Sequence, residues 1–213
     1  MVKDWVSKIR SWLEEGKDSS KNLVGLPWDI KEGEEEEFHY IYAQHPKIPF
    51  GITIYINPYF ANLYIITNIE TDAMDLKERM RIYKALLHMN SDSNLFKVGL
   101  IGNTDKVVVA VDLDLNSLNK AEFNDALSAL VAGAYKVIEA LDLEEEFEEQ
   151  YFDRLAGMVF ERLNSGETEA DVKSFLVKRV GMKKDDAETL VNSIMEYLKE
   201  EAEKGEKPVN YIG

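Results

Sequence analysis

The segment from Asp75 to Leu143 constrains the fold of this 213-residue chain most, because it combines two amphipathic helices with a two-stranded hairpin between them. Asp75 followed three residues later by Glu78 is a capping-box pattern, which predicts a helix from about Leu76. The apolar face of that helix is formed by Met80, Tyr83, Leu86 and Leu87. No reactive side chain lies at the centre of the segment, so it predicts architecture and not a reaction.

A hairpin and a long helix follow. Strands at about 95–101 and 106–113 flank the turn sequence Gly102-Asn103-Thr104-Asp105, which is typical of a hairpin. Asn119 with Glu122 repeats the capping pattern and predicts the start of the next helix. Its apolar stripe consists of Phe123, Leu127, Leu130, Val131, Ala134, Val137, Ile138 and Leu141.

The region before Asp75 predicts one helix and three strands. Apolar residues at spacings of three and four over the first 15 positions indicate an amphipathic helix. Alternating aromatic and β-branched residues predict strands at about 37–44, 50–56 and 61–69, with Asn57 and Pro58 in the turn between the last two. Short connections favour antiparallel pairing. The acidic run Glu34–Glu37 is interpreted as a solvated approach to the first strand.

The C-terminal part predicts helices only. Five glutamates within Glu144–Glu149 repel one another and separate two apolar patterns, so we place the domain boundary there. Residues 1–148 then form an α+β domain, and residues 149–213 form a small domain of three helices. Lys207–Gly213 is expected to be a frayed tail.

The charge and composition exclude several classes of protein. Forty acids against twenty-five bases give a net charge of −15, which repels nucleic acids and anionic lipids alike. Zero cysteines exclude disulfides, thiolate metal sites and thiol nucleophiles, and fit a reducing compartment. The first 15 residues contain no apolar run of signal-peptide length, and no stretch approaches a membrane span. We expect a cytoplasmic protein that binds neither nucleic acid nor membrane.

One stretch resembles a known family. The run MRIYKALLHMNSDSNLFKVGLIGNTDKVVVAVDLDLNSLNKAEFNDALSALVAGAYKVIEAL, from Met80 to Leu141, resembles the helix, strand pair and closing helix of type III secretion chaperone-like proteins, including the YbjN-like proteins. The likeness extends over about residues 38–143 at the level of pattern. It implies an α+β fold with the order α-βββ-α-ββ-α and a five-stranded antiparallel sheet. It also implies a homodimer that holds a polypeptide partner, with the helices after Gln150 as an addition.

Aromatic residues crowd the first three predicted strands. The candidate partner-binding residues are Tyr40, Tyr42, Tyr55, Tyr59, Phe60 and Tyr64. Strand alternation places Tyr55 and Tyr64 opposite the isoleucines of the same strands, so some rings cover a second face of the sheet. Rigid rings supply contact area at low entropic cost. This face could hold a client, form a dimer interface or lie under the C-terminal helices.

The candidates for chemistry are few. Asp112 and Asp114 alternate with apolar residues and could serve a metal-assisted hydrolase, although a solvated strand face explains them equally well. His39 and His45 share one side of a strand but lie ~20 Å apart, too far to share a metal. The sequence contains no Walker loop, no GxSxG and no GxGxxG motif. We therefore assign no catalytic, cofactor or metal residues and predict that the protein is not an enzyme.

A DNA-binding regulator is a further alternative. The segment from Asp171 to Tyr197 can be arranged as a helix-turn-helix with Gly181 in the turn. Its second helix begins with Lys183 and Lys184 but continues with Asp185, Asp186 and Glu188, so phosphates would meet carboxylates. The main hypothesis is a non-enzymatic, dimeric protein-binding protein.

Overall fold

The computed structural model describes residues 2–35 and 38–204, and its contacts divide the chain into two compact units, Met1–Glu144 and Glu145–Gly213. Within the described residues the first unit contains three α-helices, and the second contains three more. The elements of the first unit are α1 (Val2–Glu14), β1 (Asp29–Glu35), β2 (Phe38–His45), β3 (Ile48–Ile56), β4 (Phe60–Glu70), α2 (Leu76–Asp92), β5 (Lys97–Ile101), β6 (Lys106–Asp114) and α3 (Lys120–Ala140). The predicted frayed tail, Lys207–Gly213, lies outside the described residues.

The strands form one antiparallel sheet of six, in the order β1-β2-β3-β4-β6-β5. The α+β class and the antiparallel pairing agree with the sequence analysis, but the predicted five-stranded sheet is wrong by one strand. The additional strand is β1, so the observed order is α-ββββ-α-ββ-α. Glu34 and Glu35, predicted to lie in a solvated approach, belong to this strand.

The additional strand escapes pattern analysis because its sequence, DIKEGEE, has few residues that favour strands. It pairs with β2 along its whole length, from Asp29 opposite Gln44 to Glu35 opposite Phe38. The pairing uses backbone groups, which every residue here possesses. β1 is an edge strand, and its charged side chains are the kind that protect an exposed edge from further pairing.

One face of the sheet, which we call the inner face, forms the core of the first unit. β3 alternates buried and half-buried residues along its length, as the two-residue period of a strand requires. The largest fully buried side chains of the inner face are Ile41, Ile52, Ile54, Ile56, Leu63 and Ile65. α3 packs against β4 and β6, and α1 packs against β1, β2 and β3. Phe123 of α3 meets the Trp12 ring of α1 at 5.5 Å, which joins the two helices over the core.

Both capped helices begin where the sequence predicts. The Asp75 side chain accepts hydrogen bonds from the backbone N–H groups of Lys77 and Glu78, and the Asn119 side chain accepts them from Ala121 and Glu122. These bonds satisfy backbone donors that the first turn of a helix leaves without a partner. Asn57 fixes the β3–β4 turn in a similar way, because its Oδ1 accepts from the N–H groups of Tyr59 and Phe60.

Helix α2 covers one edge of the sheet. The Asn90 amide accepts a 2.8 Å hydrogen bond from the Val98 N–H and donates a 2.9 Å bond to the Val98 carbonyl. A single side chain thereby replaces a neighbouring strand at this point of β5. The buried residues of α2 are Ile82 and Leu86, on one side of the helix.

The second unit consists of α4 (Glu144–Asn164), α5 (Glu169–Phe175) and α6 (Lys184–Lys204). Its core contains Leu155, Val159, Val172, Phe175, Leu176, Val180, Ala187, Leu190 and Val191. α5 continues as a single π-helical segment, Leu176–Val180, which ends at Gly181 with φ 84°. The left-handed conformation at Gly181 suits glycine, which has no Cβ to clash.

The helix count differs from the prediction in two short segments. Besides the six predicted helices, the structure contains a 3₁₀ turn at Leu23–Gly25 and a π-helical segment at Leu176–Val180. The predicted seam at Glu144–Glu149 is itself helical, since α4 begins at Glu144. No helix in the described part of the chain is long and apolar enough to cross a membrane.

Candidate protein-binding surface

Four of the six candidate aromatic residues lie together on the face of the sheet opposite the inner face. We call this set the tyrosine face, and it consists of Tyr40, Tyr42, Tyr55 and Tyr64. Tyr40 is paired with Tyr55 across β2 and β3, and Tyr64 is paired with Thr53 across β3 and β4. All four side chains are half-buried. The strand alternation proposed from sequence therefore brings these rings onto one surface.

The rings of the tyrosine face contact one another. The Tyr40 and Tyr55 centroids are 6.1 Å apart with the planes tilted at 49°, and the Tyr55 and Tyr64 centroids are 5.8 Å apart at 70°. Tilted and edge-to-face arrangements at this distance are the favourable geometries for aromatic pairs. Three rings on three adjacent strands thus form a continuous apolar strip whose edges reach solvent.

Two glycines make room for the rings to lie against the sheet. Gly33 is paired with Tyr40, and a Cβ at Gly33 would overlap the end of the Tyr40 ring. Gly51 makes room for Tyr42 in the same way, because a Cβ at Gly51 would come within 2.8 Å of carbons of the Tyr42 ring. A missing Cβ allows another group to approach the backbone closely. These glycines let the two rings lie close to the backbone of the sheet. Sequence analysis missed them because they contact the rings only after the strands pair.

Tyr59 and Phe60 lie apart from the four rings. Tyr59 is 66% exposed in the β3–β4 turn, and Phe60 is 45% exposed as the first residue of β4. Phe60 nevertheless shares its strand face with Tyr64, because the two lie four positions apart and side chains alternate between faces. Ile66, 42% exposed, continues the same face of β4. The structure therefore extends the apolar surface along β4 beyond the tyrosines.

Asp112 and Asp114 lie on the same side of β6, and neither points into a group of metal ligands. Asp112 accepts a 2.7 Å hydrogen bond from Asn62 Nδ2 and forms an ion pair with Lys97. Burial opposes ionisation of Asp112, but the bonds from Lys97 and Asn62 and the charge of Lys97 outweigh it, so its pKa lies below the usual range. Asp114 accepts bonds from the backbone and side chain of Asn116. Both carboxylates therefore bond to neighbouring side chains near the end of the strand.

The described residues contain no group of three His, Asp or Glu side chains that could hold a metal ion. His39 lies 3.3 Å from Glu34, and His45 is buried against the Trp28 ring at 5.8 Å. The two histidines thus meet different neighbours, as their separation along β2 predicts.

The helix-turn-helix candidate places α5, its π-helical continuation and α6 around Gly181. Lys184 at the start of α6 lies 4.0 Å from Glu188, and Asp185 and Asp186 occupy the same first turn. Carboxylates therefore surround the basic residues that would have to meet a phosphate backbone.

The chain matches a family model over residues 8–141, whose description is Domain of unknown function (DUF8183). That match covers more than half of the chain, so the chain belongs to this family. Residues 142–206 match a second model, HTH_78, also described as a domain of unknown function. No curated protein matches the sequence.

Two solved structures resemble the chain weakly. An uncharacterized protein from Methanothermobacter thermautotrophicus is 16% identical, with a TM-score of 0.46 over 69% of this chain and 99% of that one. A chain of the heterodimeric complex ExoU-SpcU, from the type III secretion system of Pseudomonas aeruginosa, is 10% identical, with a TM-score of 0.38 over 66% of this chain and 97% of that one. Scores of this size carry no statement about function.

Proposed function

We propose that this member of the DUF8183 family is a non-enzymatic protein-binding protein, which holds a segment of another polypeptide against its tyrosine face and acts as a homodimer. The observation that carries the proposal is the strip of three contacting, half-exposed tyrosine rings on adjacent strands. Aromatic rings that form a connected surface bury much area on binding and lose little side-chain entropy.

The surroundings of the strip suit a polypeptide better than a small molecule. The strip lies on the face of a sheet, whereas sites for small ligands are concave and enclose most of the ligand. Phe60 and Ile66 add apolar area along β4, and Asp112 with Lys97 supplies polar groups at one side. An apolar centre with a polar rim is the usual anatomy of a protein interface.

The test uses a fluorescein-labelled model of an unfolded client, reduced and carboxymethylated α-lactalbumin, titrated with the full chain. Tyr55→Thr with Tyr64→Thr is expected to weaken binding at least tenfold, because it removes the centre of the strip while keeping residues that favour strands. Tyr135→Leu is the matched control, since this half-exposed tyrosine lies on α3 and contacts Phe50 of the inner face. Equal loss in the control variant, or no binding by the unmodified chain, contradicts the proposal.

A further inference from the structure

The second unit contains an open apolar groove of about 1270 Å³. Its lining comes from α4 and the following Ser165, from α6, and from Met182 just before α6. The apolar residues that form it are Phe152, Ala156, Phe160, Leu190, Ile194 and Tyr197. Phe152 is 55% exposed, although a side chain of this type is normally removed from water. The groove therefore presents apolar surface that a partner would bury.

Gly157 lies in the wall of this groove, in the interior of α4. Glycine disfavours a helix interior, and a Cβ at this position would meet nothing within 4 Å. The packing of the unit therefore does not require a glycine here. A Cβ alone would fit here, whereas a side chain larger than that of alanine would extend into the groove.

The charged side chains that line the groove are all acidic. They are Asp153, Glu161 and Asp186, and no Lys or Arg is among the lining residues that the structure describes. Three carboxylates repel a nucleic acid, and they also repel a second groove of the same kind. The complementary partner is a segment with an apolar stripe and a basic flank.

Helix α2 of the first unit has this chemistry. Besides its buried residues it exposes Leu76 (75%), Met80 (57%) and Leu87 (68%). At 3.6 residues per turn these three positions fall within about 40° of one another, so they form one stripe. Although the whole chain is strongly acidic, α2 contains four Lys or Arg residues against two acids.

The basic residues of α2 are not spread evenly around it. Lys77, Arg81 and Lys84 are exposed and lie on one flank of the stripe, about 40–100° further round the helix than Met80. Arg81 reaches Asp142 at 3.4 Å, while Arg79, on the other flank, bonds to the backbone of Thr71. The stripe from Leu76 to Leu87 is about 17 Å long, and the α4 wall from Phe152 to Asn164 is about 18 Å long, at 1.5 Å per residue.

We propose that α2 of one copy of this chain docks into the α4–α6 groove of a second copy, with its apolar stripe on the groove and its basic flank against the carboxylates. In this proposal the contact is made twice, once by each α2, and a two-fold axis relates the two contacts and closes the assembly as a dimer. This rests on the homodimer in the proposed function and names its interface, whose residues are not those of the tyrosine face.

The test measures the dissociation constant of the dimer by sedimentation equilibrium of the full chain. Gly157→Leu fills the groove and is expected to weaken the dimer at least tenfold, whereas Gly157→Ala, its matched control, leaves the constant within twofold. Met80→Glu places a charge in the stripe and is expected to weaken the dimer to a similar degree. Circular dichroism checks that each variant remains folded.

Mixing the two weakened variants identifies the contact. In the mixture, the intact α2 of the Gly157→Leu chain can enter the intact groove of the Met80→Glu chain, and both substitutions fall on the other contact. A contact already lost to one substitution is weakened little further by the second, so a heterodimer is expected to form more tightly than either variant alone forms a homodimer. An α2–α2 interface would leave Gly157→Leu dimeric, and a groove–groove interface would leave Met80→Glu dimeric. Either result overturns the proposal.

A separate variant tests how much the basic flank of α2 contributes to the stability of the dimer. Lys77→Glu with Lys84→Glu reverses the basic flank and is expected to weaken the dimer at least fivefold; an unchanged constant contradicts the proposed orientation. An unmodified chain that is monomeric would overturn both the interface and the proposed homodimer. A dimer that none of these variants weakens would overturn the interface alone, and client binding at the tyrosine face is measured independently of both.

Discussion

The two faces of the six-stranded sheet are made by the same strands and differ in almost every other respect. The inner face carries aliphatic side chains that α1 and α3 remove from water, such as Ile54 and Leu63, both 0% exposed. The other face carries four half-buried tyrosines, of which Tyr40 and Tyr42 lie over glycines. In each strand, the side chains that point to the inner face stabilise the fold. The side chains between them point to the other face and form the proposed binding surface.

Because of this difference, we expect substitutions on the two faces to change the free energy of unfolding by different amounts. Loss of a side chain from the inner face leaves a cavity in close-packed surroundings, which costs free energy of unfolding. Loss of a ring from the tyrosine face removes contact area that solvent can replace. All three tryptophans of the chain, Trp5, Trp12 and Trp28, lie in the first unit, so their fluorescence follows the unfolding of that unit.

The largest expected effect tests the inner face. Ile54→Ala should lower the free energy of unfolding by about 2–5 kcal/mol, because it removes a fully buried side chain opposite Leu63. Its neighbour Thr53, half-buried on the other face, provides the control: Thr53→Ala should cost less than about 1 kcal/mol. Urea unfolding followed by tryptophan fluorescence measures both. Similar costs for the two would remove the distinction between the faces.

A smaller effect tests how the tyrosine face is built. Gly51→Ala places a Cβ against the Tyr42 ring and should cost about 1–3 kcal/mol, since the ring must leave its position. In a Tyr42→Thr background the same substitution should cost nothing or stabilise slightly, because alanine then only restricts the unfolded chain. A double-mutant cycle in urea measures the coupling. If the effects of the two substitutions are additive, Gly51 is not needed to make room for the Tyr42 ring.

The smallest effect is a pH dependence at the edge of the tyrosine face. The pKa of Asp112 is depressed in the folded chain, so its ion pair with Lys97 stabilises the fold above the unfolded pKa of about 3.9 and is lost as the pH falls through the folded value. The side chain is 38% exposed, and solvent screening limits the contribution to less than about 1 kcal/mol.

Asp112→Asn should therefore lower the free energy of unfolding at pH 6, and its difference from the unmodified chain should be smaller at pH 3. Urea unfolding at the two pH values measures this. Asp114→Asn is the control, because its carboxylate bonds to Asn116 and not to a cation. A larger pH effect at Asp114 would contradict the assignment of the ion pair to Asp112.

Much of the first unit could be predicted from local pattern. Asp75 and Asn119 mark their helix starts because a capping side chain bonds to backbone only two or three residues away. The hairpin around Gly102 and Asp105 is also local, and both residues have the positive φ that the turn requires, 74° and 50°. The placement of Tyr55 and Tyr64 opposite the isoleucines follows from strand alternation alone.

The rest depends on residues distant in sequence. β1 has few residues that favour strands, and it becomes one because β2 offers a row of backbone partners from Gln44 to Phe38. The groove in the second unit needs α4 and α6 at their packed distance, so Gly157 alone gave no signal. Tyr59 could not be separated from the other aromatics, since only the turn geometry directs it to solvent.

By itself the sequence determined the α+β class, the capped helices, the hairpin and the tyrosines of one strand face, because caps, turns and alternation act over a few residues. Tertiary structure alone decided the sixth strand, the glycines beneath Tyr40 and Tyr42, the edge bonds of Asn90, and the groove. Each of these arises when segments far apart in the chain meet, and a local pattern holds no information about which segment will be the neighbour.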